Sequence, residues 1–172
     1  MQIITNVTLS AAGEQPANIS SHDGPDTGHV QVQVHGCWVT ALDLDAVISH
    51  AYAWSTARAE AVGYLPQKVH VEPLQLPTAA TVIVRHVGYT QPQVYLSADD
   101  RPHLEVIVGS LRVRAYDLLA VETYSQAWDR AVAIARTIWR GTPPRIDPDA
   151  VTKVLAQRGQ PAIARDGLPP NP

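Results

Sequence analysis

The sequence is poor in the residues and patterns that mark several common classes of protein. Cys37 is the only cysteine in 172 residues, which excludes an internal disulfide framework and favours a reducing compartment, so we expect a cytoplasmic protein. No run approaches the ~18 apolar residues of a transmembrane helix. The first ten residues, MQIITNVTLS, lack the basic flank of a secretory signal. We therefore expect no membrane partner and no secretory leader.

Motifs of catalysis and of metal binding are also missing. The seven histidines include no HxxxH pair, and a single cysteine cannot form CxxC, so we predict no metal site and no cofactor. The chain has no GxSxG, no glycine-rich phosphate loop and no SxxK motif. Asp99 and Asp100 are adjacent carboxylates, but they fall in a predicted turn, where aspartate is common for backbone reasons.

Basic residues are scarce in the first third of the chain. Arg58 is the only basic residue among residues 1–63, against six acidic residues, and lysine occurs only as Lys68 and Lys153. The formal net charge is −3, so the chain as a whole is not a polycation. Because proteins that follow a phosphate backbone are usually basic where they touch it, any nucleic acid should contact mainly the second half.

The strongest feature that is present is an internal duplication. Residues 29–61 and 103–135 align without a gap at an offset of 74, with 14 identical pairs in 33 positions. The alignment matches Asp43 with Asp117 and Trp54 with Trp128. Such self-similarity indicates one structural unit that is present twice.

Each copy has the pattern of four strands followed by one helix. Alternating, β-branched segments between turn residues predict strands, and Asp43 and Asp117 are placed as N-caps of helices that end at Gly63 and Gly141. The fold class is therefore α+β, a tandem duplication of a ββββα unit with antiparallel sheets about a pseudo-twofold axis. The predicted strands are 2–9, 17–21, 29–35 and 37–42 in the first copy and 81–87, 93–97, 103–108 and 111–116 in the second.

The same patterns predict the organisation of the chain. The first repeat covers 1–63, a linker 64–79, the second repeat 80–141, and a proline-rich tail 142–172. Three prolines argue against a helix in the linker, where Lys68–Glu72 is a candidate short strand. In the tail, an aspartate–proline start and Gly159 predict a short C-terminal helix at 148–158.

Several buried residues can be anticipated. One unit of this size buries too little surface to be stable alone, so we expect the two copies to pack together. Trp54 and Trp128 are the candidates for the centre of that contact, and the alternative is that each packs only on its own sheet. Cys37 is expected in the core, and His50 as a half-buried histidine on a helix.

The outward positions of the strands give the candidate binding face. Arg112, Arg114 and Tyr116 alternate on the fourth strand of the second copy, Trp38 and Thr40 occupy matched positions in the first, and Tyr95 lies on a neighbouring strand. Arginine and aromatic residues on a sheet face can stack on bases or anchor a protein interface. The alternative is a solvated face, or one covered by the other copy.

The tandem ββββα arrangement over residues 1–140, with a long helix closing each unit, resembles the Whirly and Pur-repeat proteins that bind single-stranded nucleic acid. The resemblance implies two units packed about a pseudo-twofold axis, with curved sheets that bind single-stranded DNA or RNA. Fold by itself does not dictate function.

Three functions follow from these observations. The first is a non-enzymatic binding protein whose sheet faces bind single-stranded nucleic acid. The second is a protein-interaction or assembly module, including a homodimer, that uses the same faces and the tail helix. The third is an enzyme with a small-molecule cavity between the repeats, in which His50 or Tyr124 acts as the acid–base group.

Overall fold

The ββββα pattern occurs twice in a computed structural model of the chain, which describes residues 6–24, 27–34, 36–70, 82–99, 101–142 and 164–165. The first copy contains β1 (Val7–Ala11), β2 (Asn18–His22), β3 (His29–Val34), β4 (Cys37–Ala41) and α1 (Leu44–Ala61). The second contains β5 (Val82–His86), β6 (Gln93–Ser97), β7 (His103–Val108), β8 (Leu111–Ala115) and α2 (Leu118–Ile138). A two-residue strand, β9 (Ala164–Arg165), follows. The α+β class and the duplicated layout agree with the sequence analysis.

The two sheets are each built from strands of both copies. In the four-stranded sheet, β2, β3 and β4 are antiparallel neighbours, and β5 of the second copy joins β4 in parallel. In the five-stranded sheet, β6, β7 and β8 are antiparallel neighbours, and β1 of the first copy joins β8 in parallel. The first strand of each copy therefore completes the sheet of the other copy. The sequence analysis did not predict this exchange.

The two exchanged strands use corresponding partners. Val7 lies opposite Leu111, and Val82 lies opposite Cys37, the residue that the duplication matches with Leu111. The strand predicted at 2–9 extends to Ala11, because the Ala11 carbonyl accepts the N–H of Tyr116 at 3.0 Å. Pairing with β8 thus sets the end of β1, which local residue preferences did not show.

A glycine and an aspartate connect each exchanged strand to a helix of the other copy. Gly13 and Gly88 have φ angles of 73° and 75°, a region that favours glycine. The N–H of Gly13 donates to Asp117 at 2.8 Å, and the N–H of Gly88 donates to Asp43 at 2.7 Å. Both aspartates also accept the N–H of the third residue beyond them, which confirms the predicted N-caps.

The core lies where the two helices pack along each other and onto the inner faces of the sheets. Helix α1 rests mainly on β6 and β7, and α2 rests mainly on β2 and β3, so each helix covers strands of the other copy. The rings of Trp54 and Tyr124 stack at 4.2 Å, and those of Trp128 and His50 stack at 4.2 Å. The prediction that the tryptophans lie at the contact between the copies is confirmed.

Two smaller predictions fall on the linker and the tail. Lys68–His70 are not in a strand, and residues 71–72 lie outside the described part. The N–H of Val69 instead donates to Asp117 at 3.0 Å, and the carbonyl of Pro66 accepts the N–H of Leu118 at 3.0 Å. The predicted helix at 148–158 also lies outside the described residues.

Neither α1 nor α2, the two helices described, has the length and apolar character needed to cross a bilayer.

Candidate functional site

The six residues of the predicted binding face lie on two different sheets. Trp38 and Thr40 belong to β4 and point to the outer face of the four-stranded sheet, which we call the four-stranded face. The other four predicted residues belong to the outer face of the five-stranded sheet, the five-stranded face: Tyr95, Arg112, Arg114 and Tyr116. The structure therefore offers two candidate surfaces in place of one.

The five-stranded face carries a charge network centred on Glu105. This glutamate lies opposite Arg114 in the β7–β8 register and is only 7% exposed. Its carboxylate accepts the Nε–H of Arg114 at 2.7 Å and lies 3.2 Å from Nη1 of Arg112. The hydrogen bond to Glu105 raises the pKa of Arg114. Both guanidinium groups are therefore already bound to a carboxylate, which leaves them less free to bind phosphate.

The rest of the five-stranded face is also held by internal contacts. The Tyr95 hydroxyl donates to the side chain of Gln93 at 2.7 Å, and the ring of Tyr116 lies 5.3 Å from that of His103. Nδ1 of His103 lies 2.8 Å from the Arg101 carbonyl, as Nδ1 of the matched His29 lies 3.1 Å from the Thr27 carbonyl. The matched histidines thus make corresponding contacts with the backbone at the starts of β3 and β7.

The β4–β5 edge of the four-stranded face, which we call the apolar edge, carries exposed apolar residues in two rows, one on each side of Thr40 and Arg85. Ile83 is 65% exposed and lies opposite the partly exposed Trp38 in the β4–β5 register. Leu42 and Val87, just beyond the ends of the same two strands, are 42% and 68% exposed. Three of the four large apolar residues found exposed among the described residues thus share this edge. Sequence analysis missed Ile83 and Val87, because it did not place β5 beside β4.

Beside this apolar edge the four-stranded face is polar and nearly uncharged. The Gln31 amide donates to the Thr40 hydroxyl at 3.2 Å, and Thr40 itself is only 8% exposed. Thr40 therefore supports Gln31 rather than facing a ligand directly. Arg85 lies opposite Thr40, is exposed, and forms no ion pair with any residue that the structure describes.

The duplication supplies an internal comparison between the two faces. Corresponding positions carry these pairs, with the four-stranded face given first: Trp38 and Arg112, Leu42 and Tyr116, Ile83 and Thr8. Both sets of residues are compatible with the same strand arrangement. The fold therefore does not require apolar residues at these positions of the four-stranded face. Their presence there needs an explanation other than folding.

A pair of histidines is hydrogen-bonded in the interior. Nε2 of His50 lies 3.1 Å from Nδ1 of His86, whose Nε2 lies 2.8 Å from the Thr90 hydroxyl. His50 is 1% exposed, so it is fully buried rather than half-buried as expected. Burial lowers the pKa of His50, and the neighbouring His86 lowers it further. Burial also lowers the pKa of His86, and Asp43 partly opposes that shift.

The enzyme hypothesis requires His50 or Tyr124 in a closed cavity. Both side chains are buried and stacked on tryptophans, and burial raises the pKa of Tyr124. An open groove of about 260 Å³ lies elsewhere, between the β1–β2 connection and α2, where Glu14, Thr123 and Arg130 line it. Neither candidate acid–base group borders this groove.

The described residues include neither a metal-binding cluster nor an exposed thiol. No group of three or more histidine, cysteine, aspartate or glutamate side chains lies close enough there to hold a metal ion. Cys37 is buried, and burial raises the pKa of its thiol to about 11. The expectation that Cys37 is a core residue is confirmed.

Comparison with known proteins gives no relative for this chain. No family model matches it, and neither the curated proteins nor the solved structures include a match. The resemblance to the Whirly and Pur-repeat proteins therefore stays a prediction, and the argument about function depends on the two faces alone.

Proposed function

We propose that the protein is a non-enzymatic interaction module that binds another polypeptide through the four-stranded face. The proposal is supported by the exposed apolar edge formed by Trp38, Leu42, Ile83 and Val87. Exposed apolar residues rimmed by polar ones mark interaction sites, and tryptophan is enriched among the residues that dominate binding energy. The polar residues at the matched positions of the other sheet show that the same fold does without such an edge.

The charge distribution favours a polypeptide over a polyanion as the partner. Proteins that bind nucleic acid non-specifically neutralise several phosphates with lysine and arginine. The four-stranded face offers Arg85 as its one permanently charged side chain among the described residues, and the chain has a formal net charge of −3. Arg112 and Arg114 on the other face are bound to Glu105.

Single-stranded nucleic acid is the second candidate partner. The observation in its favour is that Trp38 lies directly opposite Gln33, with Gln31 in the next row. An aromatic ring beside amide groups is suited to stacking on a base and hydrogen bonding to its edge. The topological resemblance to single-strand binders points the same way.

We also propose that the two copies are related by a pseudo-twofold axis that passes between α1 and α2. Three features support it, each present once per copy: the parallel junctions β1–β8 and β5–β4, the glycine–aspartate contacts, and the stacked tryptophans. The two faces would then be equivalent in position and different only in chemistry.

A pair of matched variants tests the interaction proposal. Leu42→Ser combined with Ile83→Thr makes the apolar edge polar, and Tyr116→Ser changes the position that corresponds to Leu42 on the other face. Affinity purification from an extract of the source cells and light scattering should show a protein partner, or self-association, for the wild type and for Tyr116→Ser. The double variant should lose it. If the double variant keeps every partner, the four-stranded face is not the binding site.

A salt titration tests the nucleic-acid alternative. A labelled single-stranded oligonucleotide is titrated with the wild type and with Trp38→Ala at low and at high salt. Binding that weakens with salt and is lost on Trp38→Ala would favour nucleic acid as the partner. Absence of binding at low salt would exclude it.

A further inference from the structure

We infer that the partner binds as an additional β-strand along β5, and that the bound segment is an extended apolar peptide with one acidic residue opposite Arg85. This inference rests on the proposed function, because it specifies how the four-stranded face would bind a polypeptide. Three features support it: the backbone of β5, its exposed side chains and the charge of Arg85.

Among the described residues, no strand pairs with β5 on the side away from β4. In a parallel pair, alternate residues direct their backbone N–H and C=O groups to the partner strand. The N–H of Val82 donates to the Gly36 carbonyl at 3.4 Å, and the His86 carbonyl accepts the N–H of Leu42 at 2.9 Å. The backbone groups of Ile83 and Arg85 therefore point away from β4, toward the open side of the sheet. A row of free backbone groups is the template for strand addition.

Among the described residues, the β5 edge has one of the usual protections of an edge strand, the charged side chain of Arg85. Natural edges are also blunted by proline, by bulges or by a covering element. β5 has the sequence VIVRH, pairs with β4 through five consecutive residues without a bulge, and leaves Ile83 65% exposed. The opposite edge of the same sheet, β2, has the polar sequence NISSH. The equivalent edge of the other sheet, β1, exposes Thr8 and Ser10.

Strand addition is already the way in which this fold is assembled. β1 and β5 are each added in parallel to a three-stranded antiparallel sheet of the other copy. β9 is added in parallel to β6 through two residue pairs, Tyr95 with Ala164 and Leu96 with Arg165. The β5 edge would accept one more strand in the same manner.

The size of the apolar edge selects a peptide over a folded domain. Two neighbouring strands of five residues cover roughly 10 Å by 17 Å. A stable interface between folded proteins needs about 800 Å² from each partner. An added strand gains its affinity from main-chain hydrogen bonds and needs only a narrow row of side-chain contacts.

The side chains along β5 define the chemistry of that peptide. An added strand would place alternate residues beside Ile83, Arg85 and Val87. Apolar residues suit the two ends of this row, and an acidic residue suits the centre, because Arg85 forms no ion pair among the described residues. A second copy fits less well, since β5 paired with β5 would bring two Arg85 side chains together on one face.

Two synthetic peptides test the inference with the full chain. One is fluorescein-labelled Gly-Ser-Ile-Val-Glu-Val-Val-Ser-Gly, and the other has lysine in place of glutamate. By fluorescence anisotropy the glutamate peptide should bind, and the lysine peptide should bind at least about tenfold more weakly. Arg85→Glu should reverse this order. Failure of both peptides to bind the wild type, or an unchanged order in Arg85→Glu, would overturn the inference.

A proline variant tests the use of the free edge. Ile83→Pro removes an N–H that is not part of the β4–β5 ladder, so the fold should persist while strand addition is blocked. Thr8→Pro is the matched control on β1 and should leave peptide binding unchanged. Circular dichroism checks that both variants are folded. If Ile83→Pro does not fold, the reversed peptide preference of Arg85→Glu is the test of the inference. Peptide binding by folded Ile83→Pro would contradict strand addition.

The two proposals can fail separately. If neither peptide binds but the Leu42→Ser and Ile83→Thr double variant still loses its protein partner, strand addition is wrong and the interaction face stands. If the wild type is a dimer and Ile83→Pro is a monomer, the occupant of the edge is a second copy, and the inference of a peptide is wrong. Salt-dependent binding of a single-stranded oligonucleotide that is lost on Ile83→Pro would also overturn it.

Discussion

Asp117, at the start of α2, accepts hydrogen bonds from the backbone N–H of Gly13, which lies 104 residues earlier in the chain. The same carboxylate accepts the N–H groups of Val69 and Ala120. Asp117 is fully buried, whereas Gly13 and Val69 are partly buried. One side chain thus joins the exchanged strand β1, the linker and the second helix.

We expect Asp117→Ala to be more destabilising than Asp43→Ala. Three backbone N–H groups lose their acceptor, one of them the helix cap, and the free energy of unfolding should fall by about 3–5 kcal/mol. Asp43 is half-buried and accepts from Ala46 and Gly88, so its loss should cost about 1–2 kcal/mol. Urea unfolding of both variants measures the difference. Equal losses would show that burial of Asp117 has no effect.

The histidine pair predicts that stability falls with decreasing pH. The pKa values of His50 and His86 are lowered in the folded protein, whereas an unfolded histidine titrates at about 6.5. Below that pH the unfolded chain binds more protons than the folded one, so the free energy of unfolding decreases. Each histidine contributes a slope of up to about 1.4 kcal/mol per pH unit. The contribution of the histidine pair to stability is fully present above about pH 6.5 and is lost as the pH falls toward the lowered pKa values.

A variant copied from the other repeat provides the control for this pH effect. Tyr124 corresponds to His50 in the duplication, and Ala11 corresponds to His86 in strand register. His50→Tyr combined with His86→Ala should therefore remove the slope between about pH 5 and 7 in urea unfolding. An unchanged slope would assign it to other groups.

Glu105→Gln should weaken the fold and at the same time release two arginines. Loss of a buried carboxylate that holds Arg112 and Arg114 should lower the free energy of unfolding by about 1–3 kcal/mol. Retention on a heparin column should increase, because both guanidinium groups become free to bind anions. Glu122→Gln is the control, since it makes the same change in net charge at the exposed pair of Arg58 and Glu122. It should alter stability by less than about 1 kcal/mol.

The stacking between the helices should appear as an energetic coupling. In a double-mutant cycle, Trp54→Leu and Tyr124→Leu should together cost less than the sum of the two single changes. The coupling expected for an aromatic pair is about 0.5–1.5 kcal/mol. Guanidinium unfolding of the four proteins measures it. Strict additivity would mean that the 4.2 Å stack contributes nothing beyond burial.

The strands, helices and caps could be predicted from the sequence because they depend on neighbouring residues. Alternating valines predict the strands, and Asp43 and Asp117 begin the helices by accepting backbone N–H groups three residues ahead. The pairing of Arg114 with Glu105 was also accessible, since the tight turn between β7 and β8 fixes which residues face each other. Without that register, both arginines were placed on the candidate binding face and their pairing with Glu105 was missed.

The strand exchange could not be predicted from local pattern. β4 and β8 have the same alternation of inward and outward residues. Pairing with either strand would therefore bury the inward side chains of β1 equally well. Only the three-dimensional path of the chain decides between these partners. Ile83 joins Trp38 in the apolar edge only in the exchanged arrangement, which is why Ile83 and Val87 were missed although Trp38 was predicted.

The exchange of the first strands has a consequence for synthesis on the ribosome. Val7 leaves the exit tunnel long before its partner Leu111 is translated, and neither repeat can finish a sheet before the other has begun to emerge. The nascent chain must therefore carry an unpaired first strand until β8 has been translated. Its native structure can close only when translation of the second repeat is nearly complete.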